Sequence, residues 1–122
     1  MIESSPISIV EIGGTLVATV GGSLDDAAAL RFQSDLAERV AGTQAGGVVI
    51  DLSAVEIVDS FIGRVLADLS AVARLLGARV IVAGIQPAVA ITLVELGLTL
   101  SGIETALDTE QGLARLGIRI DG

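Results

Sequence analysis

Along the 122-residue chain, apolar positions gather in short β-branched runs that alternate with stretches where they recur every three or four residues. Ile7–Ile12 and Thr15–Val20 are two such runs, joined by Gly13-Gly14, a dipeptide that tolerates positive φ and permits a tight turn. They predict an opening antiparallel hairpin. Ser23-Leu24-Asp25-Asp26 then offers a hydroxyl N-cap with two carboxylates in the first turn, and Ala28, Phe32, Leu36 and Val40 repeat at spacing four. That spacing predicts a first helix ending near Gly42. After Gly46-Gly47, the run Val48-Val49-Ile50-Asp51-Leu52 reads as a strand covered on both faces.

Over residues 59–76, Phe61, Val65, Leu69, Val72 and Leu76 mark the apolar stripe of a second helix, with Arg64 and Asp68 paired at i,i+4 outside and Gly77 closing it. Arg79–Ala83 repeats the buried-strand pattern. Pro87 opens a third helix that runs to about Leu96 and stops at Gly97. A last strand at 99–103 and a short helix from Asp108-Thr109-Glu110 through Leu116 complete the series. The succession predicts a single α/β domain over residues 1–122. Its mixed sheet has four to five strands, opens with an antiparallel hairpin and carries about four helices.

Composition narrows the chemistry. Hydrophobic residues make up 52% of the chain, but 17 are alanines and only two phenylalanines supply aromatic surface, so the core is aliphatic. Without His, Cys, Lys, Tyr, Trp or Asn, zinc sites of the Cys/His kind, thiol nucleophiles, Schiff-base lysines and Ser-His-Asp triads are excluded. A net charge of -8 argues against nucleic acid and anionic membrane as partners, since both demand a basic face. The longest uncharged stretch, residues 80–94, is shorter than the ~20 apolar residues of a membrane span, and the first residues carry no signal-peptide pattern. A cytoplasmic address is expected. Mean hydropathy of +0.79 is high for so small a domain, so leftover apolar surface and self-association are expected too.

Right-handed crossovers put the C-terminal ends of parallel strands on one rim, and the helices starting near Ser23, Asp59-Ser60 and Gln86-Pro87 begin there together. Their unpaired N–H groups favour an anion. A nucleotide is disfavoured, because the chain has no lysine for a P-loop and no Gly-x-Gly-x-x-Gly after a strand. Ser60, in the first turn of the second helix, is either a plain helix-start hydroxyl or a phosphoacceptor that gains about -1.5 to -2 charges. Asp59 reads as the N-cap. Asp51 and Glu56 flank the same loop as solvated carboxylates; the enzymatic alternative makes them, with Asp59 and Arg64, a metal-dependent phosphoryl-transfer or hydrolytic site. Ser53, Thr92 and Thr99 are secondary hydroxyls, with Thr92 expected to be buried in its helix.

The segments D-L-S-A-V-E at 51–56, V-D-S-F-I at 58–62 and G-I-Q-P-A-V-A at 84–90 carry a resemblance. Residues 51–98 resemble the STAS domain of anti-sigma factor antagonists, nearest its stressosome scaffold branch, strongly over these 48 residues and weakly elsewhere. The resemblance implies a non-enzymatic scaffold without cofactor or metal, phosphorylated at Ser60. It implies an RsbT-type serine kinase held at a rim of Glu56, Asp59, Phe61, Arg64 and Gln86, and RsbR-type sensor paralogues and further copies of the chain in a large complex. Free-standing antagonists of the family read D-S-S-G-L where this chain has Asp59-Ser60-Phe61-Ile62-Gly63, which points to the stressosome branch. A small complex with one anti-sigma kinase remains the alternative. With about six residues ahead of the first strand, no sensor domain is expected.

Overall fold

β1 (Ile7–Ile12) and β2 (Thr15–Val20) pair antiparallel, with Ile12 opposite Thr15 and Ile7 opposite Val20. The two loop residues, Gly13 at φ +56° and Gly14 at φ +83°, have the positive φ angles that match the loop to the right-handed twist of its strands. β3 (Gly47–Asp51), β4 (Arg79–Ala83) and β5 (Glu104–Ala106) follow parallel to β2, giving the sheet order β1-β2-β3-β4-β5. Between and after them come α1 (Asp26–Thr43), α2 (Ser60–Leu75), α3 (Pro87–Glu95) and α4 (Thr109–Arg115). The computed structural model describes residues 7–21, 24–98 and 104–118.

Each parallel strand lies beside the one before it, so successive right-handed crossovers return over the same face of the sheet. Alternation along the strands fills that face: Leu16, Ala18, Val20, Val48, Ile50, Val80 and Val82 point to it. They pack beneath Phe32, Leu36 and Val40 of α1, Val65, Leu66 and Leu69 of α2, and Val89 and Leu93 of α3. The intervening residues Val17, Val49 and Ala83 face the other way, where Leu113 of α4 covers them.

Local signals depart from expectation in three places. The cap of α1 is Asp25, whose Oδ1 accepts the Ala28 N–H at 2.7 Å, so a carboxylate does the work expected of a hydroxyl; Ser23 lies outside the described residues. The buried stripe of α2 is Ile62, Val65, Leu66, Leu69 and Ala73, rotated from the predicted one, and Phe61 and Leu76 are exposed. Spacing alone does not distinguish a residue facing the sheet from its neighbour on the flank. Arg64 and Asp68 are both exposed and form no ion pair; the salt bridge among the described residues joins Arg79 to Glu104 at 2.7 Å. The expected strand at 99–103 lies outside the described residues, and the strand that closes the sheet is Glu104–Ala106. Leftover apolar surface is present, with Ile57, Leu75, Val94 and Leu107 exposed.

Phe32, 2% exposed at the centre of the larger core, is the test of this packing. Phe32→Ala is expected to lower stability by about 3 to 5 kcal/mol in urea unfolding, and Phe61→Ala by clearly less. Equal losses would show that α1 does not anchor the core.

Candidate functional site

Thr19, Asp51, Ala83 and Ala106 stand side by side in the register of the four parallel strands, and the loops beyond them form one rim. All four helices start from it. Asp25, Asp59 and Asp108 cap α1, α2 and α4, accepting the N–H groups of Ala28, Ile62 and Gln111 at 2.7 to 2.8 Å. Three of the four helix N-termini on the rim are thus capped by the chain's own carboxylates, Asp59 at the position expected of it.

Ser60 is the first residue of α2, exposed to solvent. The loop that delivers it, residues 52–59, is pinned by a buried side chain every third residue: Leu52, Val55 and Val58 sink into the core. Two backbone bonds reinforce this, Leu52 N–H to the Ala83 carbonyl and Val55 N–H to the Leu52 carbonyl, both 2.9 Å. The residues between them face out, among them Ser53, Glu56, Ile57 and Asp59.

Asp51 fixes the loop's root. Its Oδ1 accepts the Ser53 N–H at 2.8 Å and its Oδ2 accepts the Thr109 hydroxyl of α4 at 2.9 Å. Burial by itself raises the Asp51 carboxyl, but hydrogen bonds from the backbone and side chain of Ser53 and from Thr109 outweigh it and hold the group below the ordinary carboxylate value. Asp51 is thus a half-buried structural acceptor, not the solvated carboxylate expected, and both its oxygens are engaged. Glu56 is exposed and stands apart from it in role. Among the described residues no three acidic side chains converge as metal ligands would.

Gln86 is half-buried and braces the rim loop: its Nε2 donates to the Ser53 carbonyl at 2.7 Å, leaving α3 without a side-chain cap. Gly84 makes this approach possible. It sits at φ +73°, and a Cβ there would lie 2.9 Å from Ser53 Cβ and 3.3 Å from Asp51 Oδ1. The other expected residues, Glu56, Asp59, Phe61 and Arg64, are all exposed on the loop and the first two turns of α2. Thr92 is half-buried and its hydroxyl bonds the Ala88 carbonyl at 2.9 Å within α3; Thr99 lies outside the described residues. Ile57, 85% exposed beside Glu56, was missed. Its signal was the three-residue beat of Leu52, Val55 and Val58, which leaves position 57 outside the core.

The STAS domain family model matches residues 6–111. Among solved structures, a serine-to-glutamate variant of RsbS from Moorella thermoacetica superposes with a TM-score of 0.83 at 41% identity, covering 93% of this chain and 96% of that one. A chain from a structure described as the molecular architecture of the stressosome, a signal integration and transduction hub, superposes with a TM-score of 0.77 at 39% identity, covering 90% and 96%. The RsbT co-antagonist protein RsbRA of Bacillus subtilis is 33% identical over 93% of this chain, which spans 45% of that protein's length.

Two measurements test the brace. A carboxylate held low in the folded state stabilises the fold fully above its unfolded value, about 3.9, and that contribution is lost as the pH falls from there through the lower folded value. Asp51→Asn is therefore expected to cost about 1 kcal/mol at pH 7 and progressively less below pH ~3.9; a gap that stays constant in melts down to low pH contradicts the assignment. Gly84→Ala is expected to cost about 2 kcal/mol or more, from left-handed strain and the collision with Ser53. A neutral effect in the same melts contradicts the close approach.

Proposed function

The chain belongs to the STAS domain family, and from that membership we propose that it is a non-enzymatic stressosome scaffold that holds an RsbT-type serine kinase and releases it when Ser60 is phosphorylated. The observation that carries this reading is the setting of Ser60: an exposed hydroxyl at the first position of α2, on a loop pinned from below, beside the exposed side chains of Ile57 and Phe61. Similarity to RsbS and to a stressosome chain supports the scaffold role. RsbR-type paralogues are the proposed co-assembly partners, supported by the likeness to RsbRA.

The physics of the switch follows from the rim's charge. A phosphate adds about -1.5 to -2 charges, and at the start of α2 the helix dipole favours it. Asp59 occupies the N-cap next door and Glu56 stands on the same loop, and both oppose the added charge, while Arg64, exposed one turn along α2, favours it. These effects counter one another within the chain, while a partner seated over Ile57 and Phe61 meets the new charge directly. Burying a phosphate against the apolar contacts of a partner is costly even with Arg64 nearby, so the complex gives way and the fold does not.

Incubation with the kinase and ATP, followed by peptide mass spectrometry, is expected to place one phosphate on Ser60. Ser60→Ala should retain the kinase in the presence of ATP, and Ser60→Asp should bind it at least about tenfold more weakly with a melting temperature close to the parent's. Equal kinase binding by both variants, or a phosphate elsewhere, overturns the reading. Light scattering with RsbR-type paralogues distinguishes a large assembly from a small two-protein complex.

A further inference from the structure

Among the described residues, Arg64 is the guanidinium that lies one turn from Ser60. Arg31 and Arg39 line the groove on the β1 side of α1, and Arg74 and Arg115 stand in the last turns of α2 and α4. Arg79, at the start of β4, is held by both oxygens of Glu104. Arg64 is thus a cation beside the carboxylates of the rim, exposed, with no ion pair to any described side chain. Asp68 lies four residues further along α2 and still does not pair with it. Direction accounts for this. Cα–Cβ bonds tilt toward a helix N-terminus, and an anion followed four residues later by a cation is the better of the two orders. Arg64 followed by Asp68 is the poorer order; Ser60 followed by Arg64 has the better one and lacks only a charge on the hydroxyl.

We propose that Arg64 is an exchangeable counter-ion: before modification it contacts a carboxylate of the bound kinase, and after modification it pairs with the phosphate on Ser60. Transfer of the ATP γ-phosphoryl group to the Ser60 hydroxyl, which gives up its proton, leaves a group of about -1.5 to -2 charges on the same helix face as the guanidinium. Side chains four apart have Cβ atoms about 5–6 Å from each other, within reach of an arginine. The planar fork of a guanidinium matches carboxylate and phosphate alike, so the two anions compete for one set of donors. The phosphate prevails because it is tethered to the same helix, at a high effective concentration, and carries the larger charge. The kinase then loses twice. It meets a new anion beside Ile57 and Phe61, and the cation that its carboxylate used is withdrawn. This deepens the switch proposed above and rests on it.

The test uses the full chain with phosphoserine inserted at position 60 during synthesis, so the phosphate is present whether or not a kinase places it there. Followed by phosphorus NMR at low ionic strength, the second ionisation of the phosphate is expected about 0.3 unit higher in Arg64→Gln than in the parent. Arg64→Lys, which keeps the charge, should bring it back down, and Asp68→Asn should move it clearly less than Arg64→Gln does. Unmodified Arg64→Gln should bind the kinase about fivefold more weakly than the parent, with an unchanged melting temperature. A phosphate that titrates alike with and without Arg64, or a kinase that binds unmodified Arg64→Gln as tightly as the parent, overturns the proposal. Phosphoserine at position 60 that leaves kinase binding unweakened overturns the switch itself, a result read independently of the titration.

Discussion

Parallel strands that follow one another in chain order impose a constraint on everything else in this molecule. Each right-handed crossover from β2 to β3, β3 to β4 and β4 to β5 must pass over the same face. Three helices therefore share one layer, and all of them begin at the same end of the sheet. The strand order never reverses, so no crevice opens between two halves of the sheet of the kind that holds nucleotides in doubly wound folds. The rim is a surface rather than a cleft, suited to presenting a side chain to another protein.

What the rim presents depends on two devices with different physical origins. Hydrophobic anchoring by Leu52, Val55 and Val58 fixes the height of the loop that ends at Asp59. Polar bracing fixes its lateral position, through Asp51 to Ser53 and Thr109 and through Gln86 to the Ser53 carbonyl. α3 goes without a side-chain cap as a result, since the amide that stands at its N-cap position serves the neighbouring loop instead. The exposed residues Glu56, Ile57, Ser60 and Phe61 are held by groups that are not themselves on display. On the proposed reading, rigid presentation of this kind lets the charge added at Ser60 act on a partner without first being absorbed by movement of the loop.

Periodicity and punctuation made most of the fold legible. Pro87 marks a boundary because it fixes φ and lacks an N–H, and Gly13-Gly14, Gly77 and Gly97 mark theirs because they take the positive φ that turns and helix ends require. The rotated stripe of α2 was not legible, because both Phe61 and Ile62 fit an apolar repeat and only the direction of the incoming loop decides which one faces the sheet. The exposure of Ser60 followed from topology alone. The roles of Asp51 and Gln86 did not, since they depend on Gly84 bringing the loop after β4 within contact of Ser53, an approach between residues some thirty positions apart. Sequence distance hides such pairs, and a glycine at a strand end is too common a signal to reveal them.

The free edge of the sheet and the rim that carries Ser60 lie apart in this topology. The outer edge of β1 lies two strand spacings, roughly 10 Å, to the side of β3, the strand whose end carries the loop to Ser60. Its backbone groups point along the plane of the sheet, whereas the rim faces along the strand axes. Charge follows the same division. The groove beside β1 balances two arginines against two carboxylates, while the rim gathers Asp25, Glu56, Asp59 and Asp108. The phosphate proposed for Ser60 adds to the negative charge of the rim. The overall charge of -8 is thus distributed unevenly between the groove and the rim.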